Sequence, residues 1–455
     1  MKFVVAGGGV AGLAAALAVA RAGHEVVVVE RDSVEAGQHA AAAFGVERRG
    51  IPHYFQPHAF LPRGRWLLAA WAPDVLDLLV GSGADPQDLA AKLHGPGQPG
   101  DEELVYLWVR RPVIEWALRH AAAAEPTIEF RSGVRVTALL TSENGTARAT
   151  GVATDDGEIS GDVVVDALGR YRCPPGWPRA AGEPTDSGAV YYCRYFELAD
   201  GVEHLDAPIL NPRGDLGYMG FNTFRGDNRT FAVILLAPAS DRALRALRHD
   251  AAWRAACSVI APLDVMTSPE YGRPITEVMP MGGLMNVDRT GEPKVSGIVA
   301  VGDAFCHTDP AFAYGLSFAL AHATALAEAT SEAPDADALS ERYRASAGPE
   351  ARERHVLACE MDAARSARWD GEPLDVRRRD ACYPLFSFVG ALAAAPHDDE
   401  VLRRTIRRIG LLDRTSAFDE DEHVQDRIEV ILEELAPPES PGPPRDELLA
   451  RLAEA

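Results

Sequence analysis

The first residues able to do chemistry are three glycines in the pattern Gly7-x-Gly9-x-x-Gly12. In such a pattern the first glycine permits a tight turn, the second lets the backbone approach a pyrophosphate, and the third lets a helix pack closely on a strand. Glu30 follows at the end of an apolar run, where a carboxylate can accept hydrogen bonds from an adenosine ribose. The pattern predicts a site for FAD or NAD, and the acidic residue argues against a 2′-phosphate. The predicted ligand-binding residues of this segment are Gly7, Gly9, Val10, Ala11, Gly12, Glu30 and Arg31.

A second glycine turn comes nearly three hundred residues later, at Gly302-Asp303, with Pro310 and Gly315 downstream. It again follows an apolar run and precedes a helix-forming stretch. An aspartate there can bind a polyol, and the helix N-terminus can face a phosphate or an electron-rich ring edge. The alternative is that Asp303 only caps a helix. Because the strand–turn–helix arrangement is repeated, we expect both turns to bind one ligand.

The elements around these turns follow from hydrophobic patterning. Apolar runs at 3–6 and 25–30 flank a helix-forming stretch at 13–21, which predicts a βαβ unit. Helices are predicted over 66–79, 111–124, 242–261 and 315–329, and a strand over 297–301. The dipeptides Asn144-Gly145 and Asp156-Gly157 indicate hairpins. Alternating aromatic runs at 189–198, 217–224 and 230–236 predict antiparallel strands.

The predicted fold class is therefore α/β. We expect a Rossmann-like FAD-binding domain, a mixed or antiparallel-sheet substrate domain and a helical C-terminal region. The predicted boundaries are 1–180 for the first part of the FAD-binding domain, 181–285 for the substrate domain, 286–335 for the return segment of the FAD-binding domain, and 336–455 for the helical region.

Composition excludes several partners. The 455 residues include 45 basic and 67 acidic ones, for a net charge of −22, which disfavours nucleic acid and anionic membrane surfaces. Six cysteines without a C-x-x-C pair predict neither a metal site nor a disulfide framework. No signal peptide and no long apolar run is recognisable, so a cytoplasmic location is expected.

The two end motifs together, including Gly302-Asp303-Ala304-x5-Pro310-x4-Gly315, resemble those of the group A flavoprotein monooxygenase superfamily, which is related to the flavin-dependent halogenases. The resemblance implies that Asp303 binds the FAD ribityl chain, that the helix after Pro310 points at the flavin, that Arg111 opens a helix near FAD, and that Val136 touches adenine. It implies a monooxygenase of secondary metabolism that hydroxylates or epoxidises a mid-sized apolar or aromatic metabolite with O2 through a flavin C4a-hydroperoxide.

The electron donor implied by the resemblance is NAD(P)H, acting directly or through a partner flavin reductase. The Asp-Gly motif that handles NAD(P)H in the family is altered here to Asp166-Ala167-Leu168-Gly169-Arg170, and there is no second GxGxxG. The basic stretch 401–411 is expected to be a solvated helix face, and its alternative is a docking surface for a reductase or for the second copy of a homodimer.

Candidate catalytic and substrate residues follow from residue type and position. His53, His58 and His307 are candidate acid/base groups because imidazole titrates near neutrality, although each could simply bond a loop. Arg48 or Arg49 is a candidate partner of the FAD pyrophosphate. The candidate substrate-binding residues are aromatic: Tyr191, Tyr195, Tyr218, Phe221, Phe312 and Tyr314, with core packing as the alternative for each.

Three other functions stay open. Asp309-Pro310 resembles a halogenase segment, and Lys92 is a candidate for the halogenase lysine, but the Trp-x-Trp-x-Ile-Pro motif is absent. A flavin dehydrogenase or reductase would need no O2. A non-catalytic flavin-binding protein would bind the cofactor without turnover.

Overall fold

The computed structural model describes residues 1–34, 39–142, 147–170, 173–437 and 439–455. The predicted hairpin at Asn144-Gly145 lies outside these residues. The strands are β1 (Lys2–Ala6), β2 (Glu25–Glu30), β3 (Asp85–Asp88), β4 (Val105–Trp108), β5 (Ile128–Ser132), β6 (Val136–Ser142), β7 (Arg148–Thr154), β8 (Gly157–Ser160), β9 (Val163–Asp166), β10 (Thr185–Asp186), β11 (Ala189–Leu198), β12 (Arg213–Asp215), β13 (Gly220–Arg225), β14 (Thr230–Pro238), β15 (Gly272–Pro274), β16 (Met279–Met281), β17 (Met285–Asp288), β18 (Ile298–Ala300) and β19 (Cys306–His307).

The helices are α1 (Val10–Arg21), α2 (Pro62–Trp71), α3 (Pro73–Gly81), α4 (Arg111–Ala124), α5 (Asp250–Cys257), α6 (Leu263–Met266), α7 (Tyr314–Glu332), α8 (Ala336–Trp369), α9 (Tyr383–Leu385), α10 (Ala391–Ala394), α11 (Asp399–Ile409), α12 (Thr415–Asp419), α13 (Glu422–Glu434) and α14 (Arg445–Glu454). The helix predicted over 66–79 is two helices, because Pro73 lacks the N–H that a continuous helix would need. Of the helix predicted over 242–261, only α5 forms, after a 3-10 turn at Leu244–Arg248.

A parallel sheet of order β18-β9-β1-β2-β5 carries the first glycine turn at the end of β1. Phe3 and Val5 pack against helices α1, α4 and α7, whereas Val4 and Ala6 pack against the three-stranded sheet β6-β7-β8. Burial on both faces explains why these strands are continuous apolar runs rather than alternating ones. The α/β fold class and its βαβ start are confirmed.

The second large sheet is antiparallel, with the order β12-β13-β14-β11-β15 and β16 also paired with β11. Its two faces differ in what covers them. Tyr192 and Phe196 of β11 pack with Trp253 of α5 on the outer face. Tyr191 and Tyr195 lie on the opposite face, in a cluster with Leu284 and Trp369. The alternation predicted for this strand is confirmed by this split.

The C-terminal helices form a cap rather than a free surface. Helices α9 to α13 share a core with Phe312, which precedes α7, and with Tyr314 and Phe318 in its first turns, whereas α14 packs against α5. The arginines of α11 pair within the chain: Arg403 with Asp101, Arg404 with Asp421, Arg407 with Glu103 and Asp413, and Arg408 with Asp419. The predicted solvated face is therefore tied to the rest of the molecule by ion pairs. Among the described residues, no helix is both long and apolar enough to cross a membrane.

Candidate functional site

The first glycine turn could not be built with side chains. Gly7 has a φ of +109°, and a Cβ on it would lie 2.4 Å from the carbonyl oxygen of Ala167. A Cβ on Gly12 would lie 1.9 Å from the carbonyl oxygen of Gly7. The turn therefore lets α1 start directly against β1, with its N-terminal N–H groups turned to a ligand.

A buried ion-pair cluster surrounds the end of β2. Glu30 accepts hydrogen bonds from the backbone N–H of Gly8 at 2.8 Å and of Asp32 at 2.9 Å. The guanidinium of Arg48 contacts Glu30 and Asp32 at 3.2 Å each, and Glu115 of α4 at 2.7 Å. Burial works to raise the pKa of Glu30, but the charge of Arg48 and the backbone bonds outweigh it and hold that pKa below its ordinary value.

Arg48 therefore has a different partner from the one predicted. Although it lines the cavity, its guanidinium is directed at three carboxylates rather than left for a pyrophosphate. Its neighbour Arg49, the other candidate, is exposed and pairs with Glu47. Arg48 thus positions Glu30, and the cationic partner of a pyrophosphate has to come from elsewhere.

The second glycine turn meets the first one in space. A Cβ on Gly302 would lie 2.6 Å from the Cβ of Ala11, so the two motifs are in contact. The backbone N–H of Gly302 donates to Nδ1 of His322 at 3.0 Å, which ties the turn to α7. A Cβ on Gly315 would lie 3.9 Å from a carboxylate oxygen of Asp303, so that carboxylate faces the start of α7.

One cavity of about 720 Å³ runs between the two motifs. A volume of that size is in the range of pockets that enclose a cofactor or a drug-sized ligand. All predicted cofactor residues except Gly12 line it, namely Gly7, Gly9, Val10, Ala11, Glu30, Arg31, Arg48, Arg111, Val136, Gly302, Asp303, Pro310 and Gly315. Gly12 lies behind the turn, where its missing side chain permits the close packing. The residues present fit a dinucleotide with an acidic ribose contact at one end.

Two arginines and three histidines meet in the middle of the cavity. Nη1 of Arg111 lies 2.8 Å from Nε2 of His53, and Nη2 of Arg170 lies 2.9 Å from Nδ1 of the same ring. A neutral imidazole can accept only one of these bonds, because its other nitrogen carries a proton. Arg170 also lies 3.0 Å from Nε2 of His307, and Arg111 lies 3.4 Å from Nε2 of His58. The cluster thus brings two guanidinium groups against three imidazole rings, and the Asp303 carboxylate lies 3.9 Å from Nε of Arg170.

The three histidines do not titrate near neutrality in this arrangement. Burial, followed by the charge of Arg111, lowers the pKa of His58 to about 3. Burial lowers the pKa of His307 to about 4, although Asp303 opposes the shift. The pKa of His53 is well below its ordinary value because the ring is buried beside Arg111 and Arg170. The expected acid/base titration near pH 7 is therefore not met, and the rings act here as neutral hydrogen-bond acceptors.

Comparison with known proteins agrees with this geometry. The model of a family described as FAD dependent oxidoreductase (DAO) matches residues 2–88. A sequence search among curated proteins gives no match. Among solved structures, PqsL from Pseudomonas aeruginosa, described as a probable FAD-dependent monooxygenase, is 18% identical with a TM-score of 0.59, and the match covers 82% of this chain and 98% of PqsL.

Two further structures extend the likeness. A variant of HpxO from Klebsiella pneumoniae in complex with FAD is 16% identical, with a TM-score of 0.56 and coverage of 84% of this chain and 99% of HpxO. The flavin-dependent brominase Bmp2 is 16% identical, with a TM-score of 0.56 and coverage of 93% of this chain and 100% of Bmp2. The chain shares the fold of these three structures. The resemblance expected from the motifs is confirmed at the level of the fold.

Within this fold, most of the predicted substrate aromatics are not in the cavity. Tyr314 lines it. Tyr195 and Phe221 lie in the cores of the antiparallel sheet, Phe312 lies under the C-terminal cap, and the hydroxyl of Tyr218 donates to the carbonyl oxygen of Pro443. Tyr191 stands behind the lining, where its hydroxyl donates to Oδ1 of Asp309. The sheet face was predicted, but the strand residues that reach the cavity were not.

The cavity is also lined by residues that the sequence analysis missed. Phe224, Met281 and Leu284 come from the antiparallel sheet and the turn after β16, Gln56 comes from the loop before α2, and Phe318 comes from α7. Gln56 donates from Nε2 to the carbonyl oxygen of Met279 at 3.2 Å, while its buried Oε1 has no partner among the described residues. No local signal marks these positions, except that Phe224 belongs to a run that alternation had placed in a strand.

The altered Asp-Gly segment has an internal role. Both carboxylate oxygens of Asp166 accept hydrogen bonds from Arg179, at 2.6 Å and 2.9 Å, and Trp177 donates to the same group at 2.9 Å. Asp166 is thereby bound within the protein rather than offered to a ligand. Ala167, Leu168, Gly169 and Arg170 of this segment line the cavity, and Arg170 is the charged residue among them. Its place directly after Gly169 was the signal that could have identified it.

Lys92 does not fit the halogenase role. Its Nζ pairs with Asp206 at 2.8 Å and with the carbonyl oxygen of Ala207, and it does not line the cavity. Asp309 of the halogenase-like segment does line the cavity, but its second oxygen accepts from Arg365 at 2.8 Å. Both oxygens of the Asp309 carboxylate therefore accept hydrogen bonds from the protein.

Proposed function

We propose that this protein is an FAD-dependent monooxygenase that hydroxylates or epoxidises a mid-sized apolar or aromatic metabolite. The observation that carries the proposal is the contact between the two glycine turns around one cavity, which continues to an apolar wall on the antiparallel sheet. The fold of the solved neighbours supports it. The oxygenase named for 2-methyl-3-hydroxypyridine-5-carboxylic acid has the same fold, with a TM-score of 0.54, which supports an aromatic substrate.

The cofactor residues divide along the cavity. Glu30 and the N-terminus of α1 would hold the adenosine and pyrophosphate portion, and Asp303 would hold the polyol. Because Arg48 pairs with carboxylates of the protein, Arg111 and Arg170 would supply the positive charge beside the pyrophosphate. When bound, FAD supplies the electron transfer to O2 and the activation of oxygen.

The protein's own task at the other end is to keep water out and place the substrate. Phe224, Met281, Leu284 and Phe318 provide an apolar wall, and Gln56 offers a buried acceptor that a substrate O–H or N–H can satisfy. His58, held through Nδ1 to the carbonyl oxygen of Gln56 at 2.7 Å, is a neutral ring beside it. The proposed substrate is therefore apolar with a hydrogen-bond donor near its reacting carbon.

For the electrons, we propose NAD(P)H as the ultimate donor, delivered through a separate flavin reductase. The occupation of Asp166 by Arg179 and Trp177 favours this over direct docking of a nicotinamide at the altered segment. The six cysteines are free thiols, which supports a reducing, cytoplasmic location. A homodimer stays a prediction.

The test begins with the purified protein and added FAD. We expect stoichiometric FAD binding, slow bleaching by NADH or NADPH alone, and fast bleaching once a flavin reductase is added. Turnover under 18O2 with a panel of phenols and aromatic acids should place the label in one product. Product formed without O2 would indicate a dehydrogenase, and bound FAD that never consumes O2 would indicate a non-catalytic flavoprotein.

The halogenase is the second candidate, favoured by the likeness to the brominase Bmp2 over 93% of this chain and by the Asp309-Pro310 segment in the cavity. The surface position of Lys92 speaks against it. Adding bromide or chloride to the 18O2 assay separates the two, because a halogenated product without label would overturn oxygenation.

A further inference from the structure

Arg213 is an arginine that the fold leaves without an anionic partner. It begins β12, at the edge of the antiparallel sheet, and is only partly exposed. No hydrogen bond or ion pair to its side chain is found within the described parts of the chain, whereas Arg48, Arg110, Arg179 and Arg408 each contact a carboxylate. An arginine withdrawn from water in this way is costly unless an anion meets it.

The sheet register places Arg213 on the face that looks toward the cavity. Arg213 pairs with Asn222 of β13, so the two side chains share a face, and Phe224 lies two residues further along on that same face. Phe224 lines the cavity and packs edge-on against Trp108 at 5.7 Å between ring centroids. Arg213 therefore lies on the strand next to β13, and the residue it pairs with is two positions before Phe224, which lines the cavity.

Two tyrosine hydroxyls share this region. The ring of Tyr106 stacks on Trp108 at 5.6 Å, and the ring of Tyr314, which lines the cavity, stacks on Phe312 at 5.5 Å. Both tyrosines are buried, yet neither hydroxyl has a hydrogen-bond partner among the described residues. Burial raises the pKa of Tyr106, against which the charge of Arg213 acts. A phenol hydroxyl can donate a hydrogen bond to an anion.

We propose that Arg213, Tyr106 and Tyr314 form a carboxylate site beside the cavity, reached where Tyr314 lines it, and that the substrate is an apolar or aromatic acid whose carboxylate binds there. The guanidinium supplies the charge and a fork of donors, the hydroxyls supply further donors, and Trp108, Phe224 and Phe312 supply the apolar surroundings. This inference rests on the proposed function for its cofactor.

The test uses the FAD-loaded protein and two probes of the same shape, benzoate and benzamide, each titrated while the visible spectrum of the bound flavin is recorded. We expect benzoate to perturb the spectrum with at least about tenfold higher affinity than benzamide, since a charge-assisted bond is worth that much. R213M should remove this preference, and Y106F should weaken benzoate binding about threefold. R273Q, at an exposed arginine of β15 that pairs with Glu197, should change nothing.

Stability distinguishes this role from a structural one. Because R213M removes a charge without a partner, we expect its melting temperature to stay equal or rise. Equal affinity for benzoate and benzamide, a preference that survives in R213M, or a fall in melting temperature with unchanged binding would overturn the proposal. So would a spectral response to bromide or chloride in place of benzoate. Because no turnover is measured, a protein that binds FAD and discriminates the probes supports this site even if it oxygenates nothing.

Discussion

The two halves of the cavity solve the problem of buried charge in opposite ways. At the adenosine end, Arg48 is surrounded by the carboxylates of Glu30, Asp32 and Glu115, and Arg119 donates to the carbonyl oxygen of Gly8 at 2.7 Å. In the middle of the cavity, Arg111 and Arg170 face neutral imidazoles. The carboxylates of the fold neutralise the arginine of the first half, whereas the arginines of the second half mainly contact neutral rings among the described residues. Changes at the adenosine end should therefore affect stability, and changes in the middle should affect binding.

The largest effect is expected from G12A. A Cβ there would lie 1.9 Å from the carbonyl oxygen of Gly7, so β1 and α1 would have to separate. We expect a loss of more than about 4 kcal/mol in the free energy of unfolding, in the exceptional range for one substitution, and no retention of FAD. Urea denaturation and the flavin content of the purified protein measure both.

Gly81 provides the matched control, since nothing lies within 4 Å of a Cβ built there. G81A should leave FAD binding unchanged and stability equal or slightly higher, because alanine favours a helix. A G12A protein that still retains FAD would show that the first turn is not part of the cofactor site.

The next effect concerns the cation at the adenosine end. In R48M three carboxylates lose their shared cation, and we expect a loss of about 3 kcal/mol in the free energy of unfolding. The pKa of Glu30 should rise, since burial would no longer be opposed by Arg48. The loss should then be greater at alkaline pH, where a buried carboxylate must stay charged, than at acidic pH. Urea denaturation across this range measures it.

R49M is the control for that experiment, because the Arg49 side chain is exposed and contacts only Glu47. Its stability should be unchanged at every pH. An R48M protein as stable as R49M would mean that the adenosine end is not preorganised, and the comparison between the two halves would fail.

The sequence predicted the adenosine end better than the remainder for a physical reason. Glycine turns and strand periodicity are local, and so β2 and α4 have the predicted bounds. Ion pairs between residues that are distant in the chain cannot be predicted from the local sequence. The pairing of Arg48 with Glu115 spans sixty-seven positions and depends on how α4 packs on the sheet.

The substrate side shows the same limit more strongly. Tyr191 and Phe312 were predicted to touch substrate because they are aromatic, but Phe312 packs under the cap and Tyr191 bonds to Asp309. Both faces of β11 are apolar, so alternation alone cannot say which residues reach the cavity. Gln56 and Arg213 carry no motif, and only the assembled sheet and cap show that their polar groups lack partners.

The third prediction concerns acid. His58, His307 and His322 have pKa values lowered to about 3 to 4, mainly by burial, while the unfolded values are near 6.5. The unfolded chain therefore binds more protons than the folded protein as the pH falls below about 6.5. By pH 5, the protonation of each ring in the unfolded chain lowers the free energy of unfolding by about 2 kcal/mol. Denaturation measured between about pH 7.5 and pH 5 should show this steep loss. In H58Q the free energy of unfolding should fall less steeply with pH, by the contribution of one ring.

His94 is the control, since its side chain is exposed and lies at the surface beside Asp399. H94Q should leave the slope of stability against pH as it is in the parent protein. A parent protein whose stability is flat over this range would contradict the neutral-imidazole description of the middle of the cavity.

The smallest effect on stability, and the sharpest comparison, is expected at Arg170. Its contacts with His53 and His307 are to neutral rings, and the carboxylate of Asp303 lies 3.9 Å from its Nε. R170M should change the free energy of unfolding by less than about 1 kcal/mol, but weaken FAD binding about tenfold, the value of one charge-assisted bond. Titration with FAD and urea denaturation of the FAD-free protein separate the two quantities.

R179M, at a neighbouring arginine held by Asp166, should do the reverse, with a clear loss of stability because Asp166 is left buried and unpaired. If instead R170M destabilises the FAD-free protein as much as R179M does, the middle of the cavity is part of the folded framework, and the division between an end that affects stability and a middle that affects binding is wrong.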